Sequence, residues 1–269
     1  MKKFLVRSLI VLIVLVLLAV LATHLFLDTA IKSGIETVGP KLTKTDIKLN
    51  SVSLSLLSGS GKIKGFVVGN PQGFKTASAI SVGTATLTVD PKSIFGDKVI
   101  IHTFNVEGPE ITFETDLTTV NLEKLLSNLE ETTGGEKPAT DTNQPAPPKQ
   151  SEANAGKRLQ VDDFLIKNAK VHVSVNAPVI GQQSANVNIP EIHLTNMGTN
   201  AEGITAAEFS KEVLKAIVVK AKDEATKVIA DMSKGGKFFG KEPSAIISET
   251  NSLQKAAKGI GDLFNKKKD

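Results

Sequence analysis

The chain has 269 residues, of which 41% are hydrophobic and 22% charged, so it can bury a core in one or two domains. It has no cysteine, which excludes disulfides, thiolate catalysis and cysteine-ligated metals. The formal net charge of +4 falls to +1 without Lys2, Lys3 and Arg7, which precede the first apolar run. This near-balance of positive and negative charges, together with an aromatic content of only 4%, argues against a nucleic-acid partner.

Residues 9–27 form an almost uninterrupted apolar run in which His24 is the only ionisable side chain. At about 1.5 Å per residue, a helix of this length matches the ~30 Å hydrocarbon core of a bilayer. Because basic residues precede the run, residues 1–27 are predicted to be a cytoplasmic stub and a single transmembrane anchor, with the rest exported. A cleaved signal peptide is the alternative, since residues 20–22 offer small side chains, but the run is longer than a signal peptide requires.

A short amphipathic helix is predicted next, over residues 28–45. Asp28 can cap its first turn, and the Gly39-Pro40 pair is expected to end it. One face of this helix would carry the apolar side chains of Ile31, Ile35 and Val38.

The rest of the exported part alternates between strand and helix signals. Period-two alternation and Gly- or Pro-rich turns predict strands, whereas a leucine stripe at 122–129 and a Thr205/Glu208 capping box predict helices. The predicted segments are a first β segment with a closing helix (46–130), a disordered linker (131–158), a second β segment (159–200), a long amphipathic helix (201–233) and an amphipathic, basic tail (234–269).

An internal repeat is the most informative feature of the β segments. Three stretches share one pattern: IKGFVVGNP (63–71), IHTFNVEGP (101–109) and VDDFLIKNA (161–169). Each has an apolar residue, then a phenylalanine three positions later, and a Gly or Asn four positions after the phenylalanine. Repeated strands of this kind favour a sheet built from similar long units.

The phase of the repeat changes within a copy. Phe104 and Val106 occupy even positions, whereas Ile111 and Phe113 further along occupy odd positions. Both pairs can face the same side only if the strand bulges or bends near Gly108. The third copy changes phase at its Asn-Ala dipeptide in the same way. The pattern therefore predicts strands that bend along their length.

At these residues the chain resembles the AsmA-like family of bacterial envelope proteins, relatives of TamB. Besides the N-terminal run, the pieces that carry the resemblance are LNSVSLSLLSGSGKIKGFVVGNPQGF (49–74), ISVGTATLTVDPKSIFGDKVIIHTFNVEGPEITFET (80–115), NLEKLL (121–126), LQVDDFLIKNAKVHV (159–173) and PEIHLTNMG (190–198). The resemblance implies an inner-membrane anchor with a periplasmic, chorein-like β-groove, and a role in phospholipid transport or outer-membrane biogenesis. The strand-forming part is too short to cross a periplasm alone, so a short groove, or one unit of a larger assembly, is expected.

The predicted fold class is therefore α+β: a transmembrane helix, then a curved, mostly antiparallel, groove-like β-sheet with flanking amphipathic helices. The candidate lipid-groove residues are Phe66, Val68, Phe104, Val106, Ile111, Phe113, Phe164, Ile166, Val171 and Val173. An open strip of such side chains could hold an acyl chain, since each buried methylene is worth ~0.8 kcal/mol. The alternative is that the helices cover this face as an ordinary closed core.

Nothing in the sequence indicates catalysis, a metal site or a cofactor. The four histidines (24, 102, 172 and 193) lack metal-ligand spacing, and GNPQGF (69–74) lacks the Lys-Ser/Thr of a P-loop. Asp162 and Asp163 are adjacent, but neighbours on a strand point to opposite faces. We therefore expect a non-enzymatic protein that contacts membrane lipid. The alternative is a scaffolding membrane protein that binds a protein partner through its C-terminal helices.

Overall fold

The computed structural model describes residues 26–116, 118–132, 157–177 and 181–234. These residues form an α+β fold in which three helices, α1 (26–43), α2 (Asn121–Thr132) and α3 (Ala206–Lys234), accompany a ten-stranded sheet. The strands are β1 (Ile47–Lys48), β2 (Ser51–Leu54), β3 (Ser60–Gly69), β4 (Ser78–Val89), β5 (Lys98–Glu107), β6 (Glu110–Thr115), β7 (Arg158–Lys167), β8 (Lys170–Ala177), β9 (Gly181–Asn188) and β10 (Ile192–Met197). No helix of these residues has the length and hydropathy of a membrane span, and the predicted anchor lies outside them except for its last two residues.

The sheet is curved, open and mostly antiparallel, as predicted. Its path runs β10-β7-β5-β4-β6-β8-β9, and β3 lies on the other side of β4 with β1 and β2 beyond it. Strands β5 and β6 are two halves of one bent strand, since both pair with β4 on one side. Strands β7 and β8 form a second bent strand, which runs parallel to the first, whereas the other pairings are antiparallel.

The bends lie where the phase change of the repeat predicts them. Gly108 and Asn168 have φ angles of +56° and +53°, in the left-handed region that reverses the alternation of side chains. The partners of residues 107 and 110 are 167 and 170, so no residue is inserted between the two halves. The Gly108 N–H donates to the Lys167 carbonyl at 2.9 Å, which keeps the two strands joined at the bend. The feature is therefore a bend shared by neighbouring strands and not a bulge.

Helix α1 protects the edge of the sheet formed by β1 and β2. The Leu54 N–H donates to Asp28 Oδ1 at 2.9 Å, and the Leu49 N–H donates to Glu36 Oε1 at 3.0 Å. These carboxylates satisfy backbone donors that would otherwise lie open on an edge strand. Because residue 28 lies beside residue 54 and residue 36 beside residue 49, the helix runs antiparallel to β2.

Three sequence expectations about this helix are wrong. Asp28 does not cap the first turn, because it lies inside the helix and binds β2. The Gly39-Pro40 pair does not end the helix, which continues to residue 43 before Lys44 adopts a φ of +55°. Gly39 instead allows close packing, since a Cβ there would lie 2.5 Å from Ile47 Cδ1. Val38 faces solvent with 49% exposure, so the buried face of α1 does not include it.

Helices α2 and α3 form as the sequence predicts. The leucine stripe of α2 is buried in the core, with Leu122, Leu125 and Leu129 at most 2% exposed. The capping box of α3 is complete: the Thr205 N–H donates to Glu208 Oε2 at 2.7 Å, and the Glu208 N–H donates to Thr205 Oγ1 at 3.1 Å. Most of the predicted linker 131–158 and all of the tail beyond residue 234 lie outside the described residues.

Candidate functional site: a partly covered apolar face

The ten candidate groove residues all lie on one face of the sheet and belong to its hydrophobic core. Eight of them are buried, whereas Phe66 and Phe104 are half-buried. The deepest are Ile111, Phe113, Val171 and Val173, which are at most 1% exposed. Most of this face is therefore packed against the protein's own helices.

The second and third copies of the repeat lie side by side in this face. Because their strands are parallel and in register, equivalent positions become direct neighbours. The neighbouring pairs are Phe104 with Phe164, Val106 with Ile166, Ile111 with Val171, and Phe113 with Val173. The sequence showed which positions are equivalent, but it did not show that the two copies contact each other.

Helix α3 is fixed to this face by three phenylalanines. The Phe209 ring, from the first turns of α3, lies 6.1 Å from Phe104 and 5.4 Å from Phe164 between ring centroids. The Phe104 and Phe164 rings meet edge to face at 5.3 Å. Aromatic pairs at such distances are worth about 0.5–1.5 kcal/mol beyond their burial. The repeat phenylalanines thus form the docking point of the helix.

The cover over the apolar face is uneven. Helices α2 and α3 pack over β6, β7, β9 and β10, where most core side chains are buried and Val187, Leu194 and Met197 are half-buried. On β3, β4 and β5 a set of large apolar side chains remains half-buried: Ile63, Phe66, Ile80, Leu87 and Phe104. We call these five residues the apolar strip. Leu27, Ile31 and Leu42 of α1 and Phe209 of α3 also pack against the core.

The opposite face of the sheet carries two histidine–aspartate pairs. His102 Nδ1 lies 2.9 Å from Asp162 Oδ2, and His193 Nε2 lies 2.5 Å from Asp163 Oδ1. Hydrogen bonds from Gln160 and His102 hold the pKa of Asp162 below its usual value. The histidines are about half exposed, at 54% and 51%, and no group of three His, Asp or Glu side chains among the described residues is arranged to hold a metal ion. The pairs are exposed hydrogen-bonded contacts, and surface contacts of this kind contribute little to stability.

The two aspartates do not obey simple strand alternation. Val161 and Phe164 both lie in the core, so β7 is irregular between them. As a result Asp162 and Asp163 both lie off the core, and each contacts a different neighbouring strand. The expectation that Asp162 and Asp163 point to opposite faces of the sheet is therefore wrong, because β7 is irregular at these two residues.

A buried carboxylate, Glu114, is not among the residues predicted from the sequence. Its side chain lies at the end of the sheet that carries the turn between β3 and β4, and it accepts five hydrogen bonds there. The donors are Lys75 N (2.8 Å), Thr76 N (2.9 Å), Thr76 Oγ1 (2.5 Å), Asn70 Nδ2 (3.1 Å) and Asn176 Nδ2 (3.0 Å). Burial raises the pKa of Glu114, but the hydrogen bonds from Thr76, Lys75 and Asn70 outweigh this and lower it.

Glu114 has a structural role in this arrangement. Glu114 is only 2% exposed, and its carboxylate accepts four hydrogen bonds from the 70–76 turn and one from Asn176 of β8, so it is unsuited to proton transfer. Nearby, the Asn121 side chain accepts a hydrogen bond from the Glu114 N–H at 2.9 Å and donates one to the Thr112 carbonyl at 2.8 Å. It thus satisfies two backbone groups of β6, as a neighbouring strand would. No sequence signal marks Glu114, because strand alternation after the core residue Phe113 predicts that the next side chain faces solvent.

A separate polar hollow of about 390 Å³ lies at the bend of the sheet. Its lining consists of Lys167, Asn168, Lys170, Asn188, Ile189 and Glu191. It does not share a residue with the apolar strip. The strip is therefore the feature that best fits the apolar ligand expected from the sequence.

Comparison with known proteins gives one result. No curated protein and no solved structure matches the chain. The model of the AsmA family matches residues 1–243, which includes the apolar run, the whole described sheet and all three helices. This family is associated with the bacterial envelope. On this match, the chain belongs to the AsmA family.

Proposed function

We propose that this protein is a non-enzymatic envelope protein that is anchored in the bacterial inner membrane and contacts phospholipid. Residues 9–27 would form the single membrane span, with the N-terminus in the cytoplasm and the sheet in the periplasm. Its role would be in phospholipid transport or outer-membrane biogenesis. Membership of the AsmA family and the basic residues ahead of the apolar run support this proposal.

The apolar strip is the observation that carries the lipid proposal. Leu87 lies opposite Phe104 and diagonal to Ile63, and Ile80 lies diagonal to Phe66. The buried Val82 and Ala85 separate these two groups on β4. Partly exposed aliphatic and aromatic side chains of this kind are the part of the core face that an apolar partner can reach. The strip extends over eight residues of β4, from Ile80 to Leu87, or about 23 Å at ~3.3 Å per residue. That length suits one acyl chain.

A structural role is the second candidate, because one observation favours it. Eight of the ten candidate groove residues are buried beneath the helices, as in an ordinary closed core. In this case the body would be a rigid scaffold for a protein partner. Ile217 and Ala221 of α3 face the protein's own core, so such a partner would contact the outer face of α3, where Val219 is 49% exposed, or residues beyond Lys234.

Photocrosslinking of the full-length protein in membranes distinguishes the two candidates. A photoreactive phenylalanine analogue would replace Phe66 or Phe104, which changes the shape of the strip little. The matched control is the same analogue at Asn105, which is exposed and adjacent to Phe104 but on the opposite face. We expect phospholipid adducts at Phe66 and Phe104 and none at Asn105. Absence of lipid adducts from the strip, or equal yield at Asn105, would contradict the lipid proposal and favour the scaffold.

A further inference from the structure

Exposed apolar side chains are concentrated at one end of the sheet. Among the large hydrophobic residues that are exposed in the described part of the chain, Leu57 is 91%, Phe26 76% and Phe95 75% exposed. The other two, Val38 and Val219, are each 49% exposed and lie on the helices. A leucine and a phenylalanine this exposed at turn tips are unusual for a surface that meets only water.

Hydrogen bonds place the three residues at the same end. Leu57 lies in the turn 55–59 between β2 and β3, and Phe95 lies in the turn 90–97 between β4 and β5. The Val89 N–H donates to the Gly59 carbonyl at 2.8 Å, which joins the two turns. The bond from Leu54 to Asp28 brings residues 26–28 of α1, including Phe26, to this end as well. We call this the proximal end.

The two turns are built rigidly. Gly59 has a φ of +69° and lies so close to the Val89 carbonyl that a Cβ would meet its oxygen at 2.2 Å, so no other residue fits. In the second turn the Ile100 N–H donates to Ser93 Oγ at 2.9 Å, and Lys157 Nζ donates to the Gly96 carbonyl at 3.1 Å. Leu57 and Phe95 are thus held outward by ordered backbone.

The charge of the second turn indicates the kind of partner. Residues 90–98 and the adjacent 157–158 carry two aspartates and four basic residues, Lys92, Lys98, Lys157 and Arg158, for a net charge of +2. A small positive charge suits the surface of an anionic bilayer, and the exposed leucine and phenylalanine need an apolar environment as well. A membrane interface offers both, whereas a nucleic acid offers no apolar layer.

We propose that the proximal end docks on the same bilayer that holds residues 9–27, with Leu57 and Phe95 inserted into its interface. The inference rests on the proposed anchor. The apolar run ends at Leu27, and Asp28 is already hydrogen-bonded to the last residue of β2, so no linker separates the bilayer from the turns. The polar interface of a bilayer is only about 5–8 Å thick on each side, within reach of side chains at the turn tips. Docking would also place the Leu87 end of the apolar strip next to the membrane.

Site-specific fluorescence on the full-length chain tests this docking. Because the protein has no cysteine, Leu57→Cys and Phe95→Cys each provide one labelling site for an environment-sensitive dye. The matched control is Gln72→Cys, in the exposed turn between β3 and β4 at the opposite end. The ten residues of β3 separate the two ends by about 30 Å at ~3.3 Å per residue. Each variant would be reconstituted in phosphatidylethanolamine–phosphatidylglycerol vesicles with and without spin-labelled lipid.

We expect a blue-shifted emission and strong quenching by spin-labelled lipid at Leu57→Cys and Phe95→Cys, neither of them at Gln72→Cys, and no change in high salt. If the protein floats with the vesicles but the two sites are not quenched, docking is wrong and the anchor stands. A blue shift without lipid quenching would show that a protein segment covers the turns, which also overturns docking. Loss of quenching in salt would overturn insertion through apolar side chains. Failure to float with vesicles would overturn the anchor and the docking together.

Discussion

Replacement of Glu114 by glutamine tests whether the buried network at the far end of the sheet stabilises the fold. The substitution keeps the shape of the side chain but exchanges one acceptor oxygen for an NH₂ donor. Three donors converge on Oε2, from Thr76 and Asn70, and two converge on Oε1, from Lys75 and Asn176. A glutamine would keep its oxygen on the side of the three donors. Its NH₂ group would then face the Lys75 N–H and the Asn176 side-chain amide.

The cost follows from these two lost bonds. A buried donor without an acceptor costs about 1–3 kcal/mol, and the lower part of that range applies because both bonds are only partly buried. We therefore expect Glu114→Gln to lower the free energy of unfolding by about 2–4 kcal/mol. The measurement is urea denaturation of the full-length protein in mild detergent, followed by circular dichroism, because the chain has no tryptophan or tyrosine for intrinsic fluorescence.

The control is Glu110→Gln, on the same strand but with an exposed side chain. It should change the free energy of unfolding by less than about 0.5 kcal/mol, as is usual for surface substitutions. If Glu114→Gln costs no more than this control, the carboxylate contributes nothing and the reasoning from its donors is wrong.

The pH dependence provides a second check on the same residue. The folded-state pKa of Glu114 lies below its usual value of about 4.3. A group with a depressed folded-state pKa stabilises the fold fully above its unfolded-state pKa and loses that contribution as pH falls through the folded-state value. The difference in stability between the wild type and Glu114→Gln should therefore be greatest near neutral pH and shrink below about pH 4.

Three further substitutions test other parts of the fold. Phe209→Ala should lower the free energy of unfolding by about 1–3 kcal/mol, since the ring is only half-buried. It should also speed amide hydrogen exchange in α3, and unchanged exchange would show that the phenylalanine cluster does not hold the helix. Asn168→Val should destabilise by about 1–2 kcal/mol because φ is +53°, whereas Asn168→Gly should be near neutral in the same urea titration; equal effects would contradict the bend. Thr205→Ala should cost about 1 kcal/mol, and Thr205→Ser, which keeps the hydroxyl cap, should restore most of it.

Much of the fold could be predicted from the sequence because its signals are local. The leucine stripe fixes α2, and the Thr205/Glu208 pair fixes the start of α3, since helix periodicity and caps act within a few residues. The parity change between Phe104 and Ile111 predicts the bend at Gly108, because side chains alternate strictly along a strand. The repeat also identified the apolar face of the sheet, and the family followed from the same residues.

The tertiary structure alone decided how those elements meet. The Gly39-Pro40 pair does not end α1, because contacts with Ile47 and β2 outweigh the local preference of two residues. Four of the five donors of Glu114 come from a turn about 40 positions earlier in the chain, and the fifth, Asn176, lies 62 positions later, so no local pattern marks the carboxylate. Whether an apolar face is covered depends on where distant helices pack, and periodicity shows only that the face exists. The sequence by itself thus determined the strands, their bends and their apolar side, whereas long-range packing decided that α2 and α3 close part of that side and leave the strip on β3–β5 half-buried.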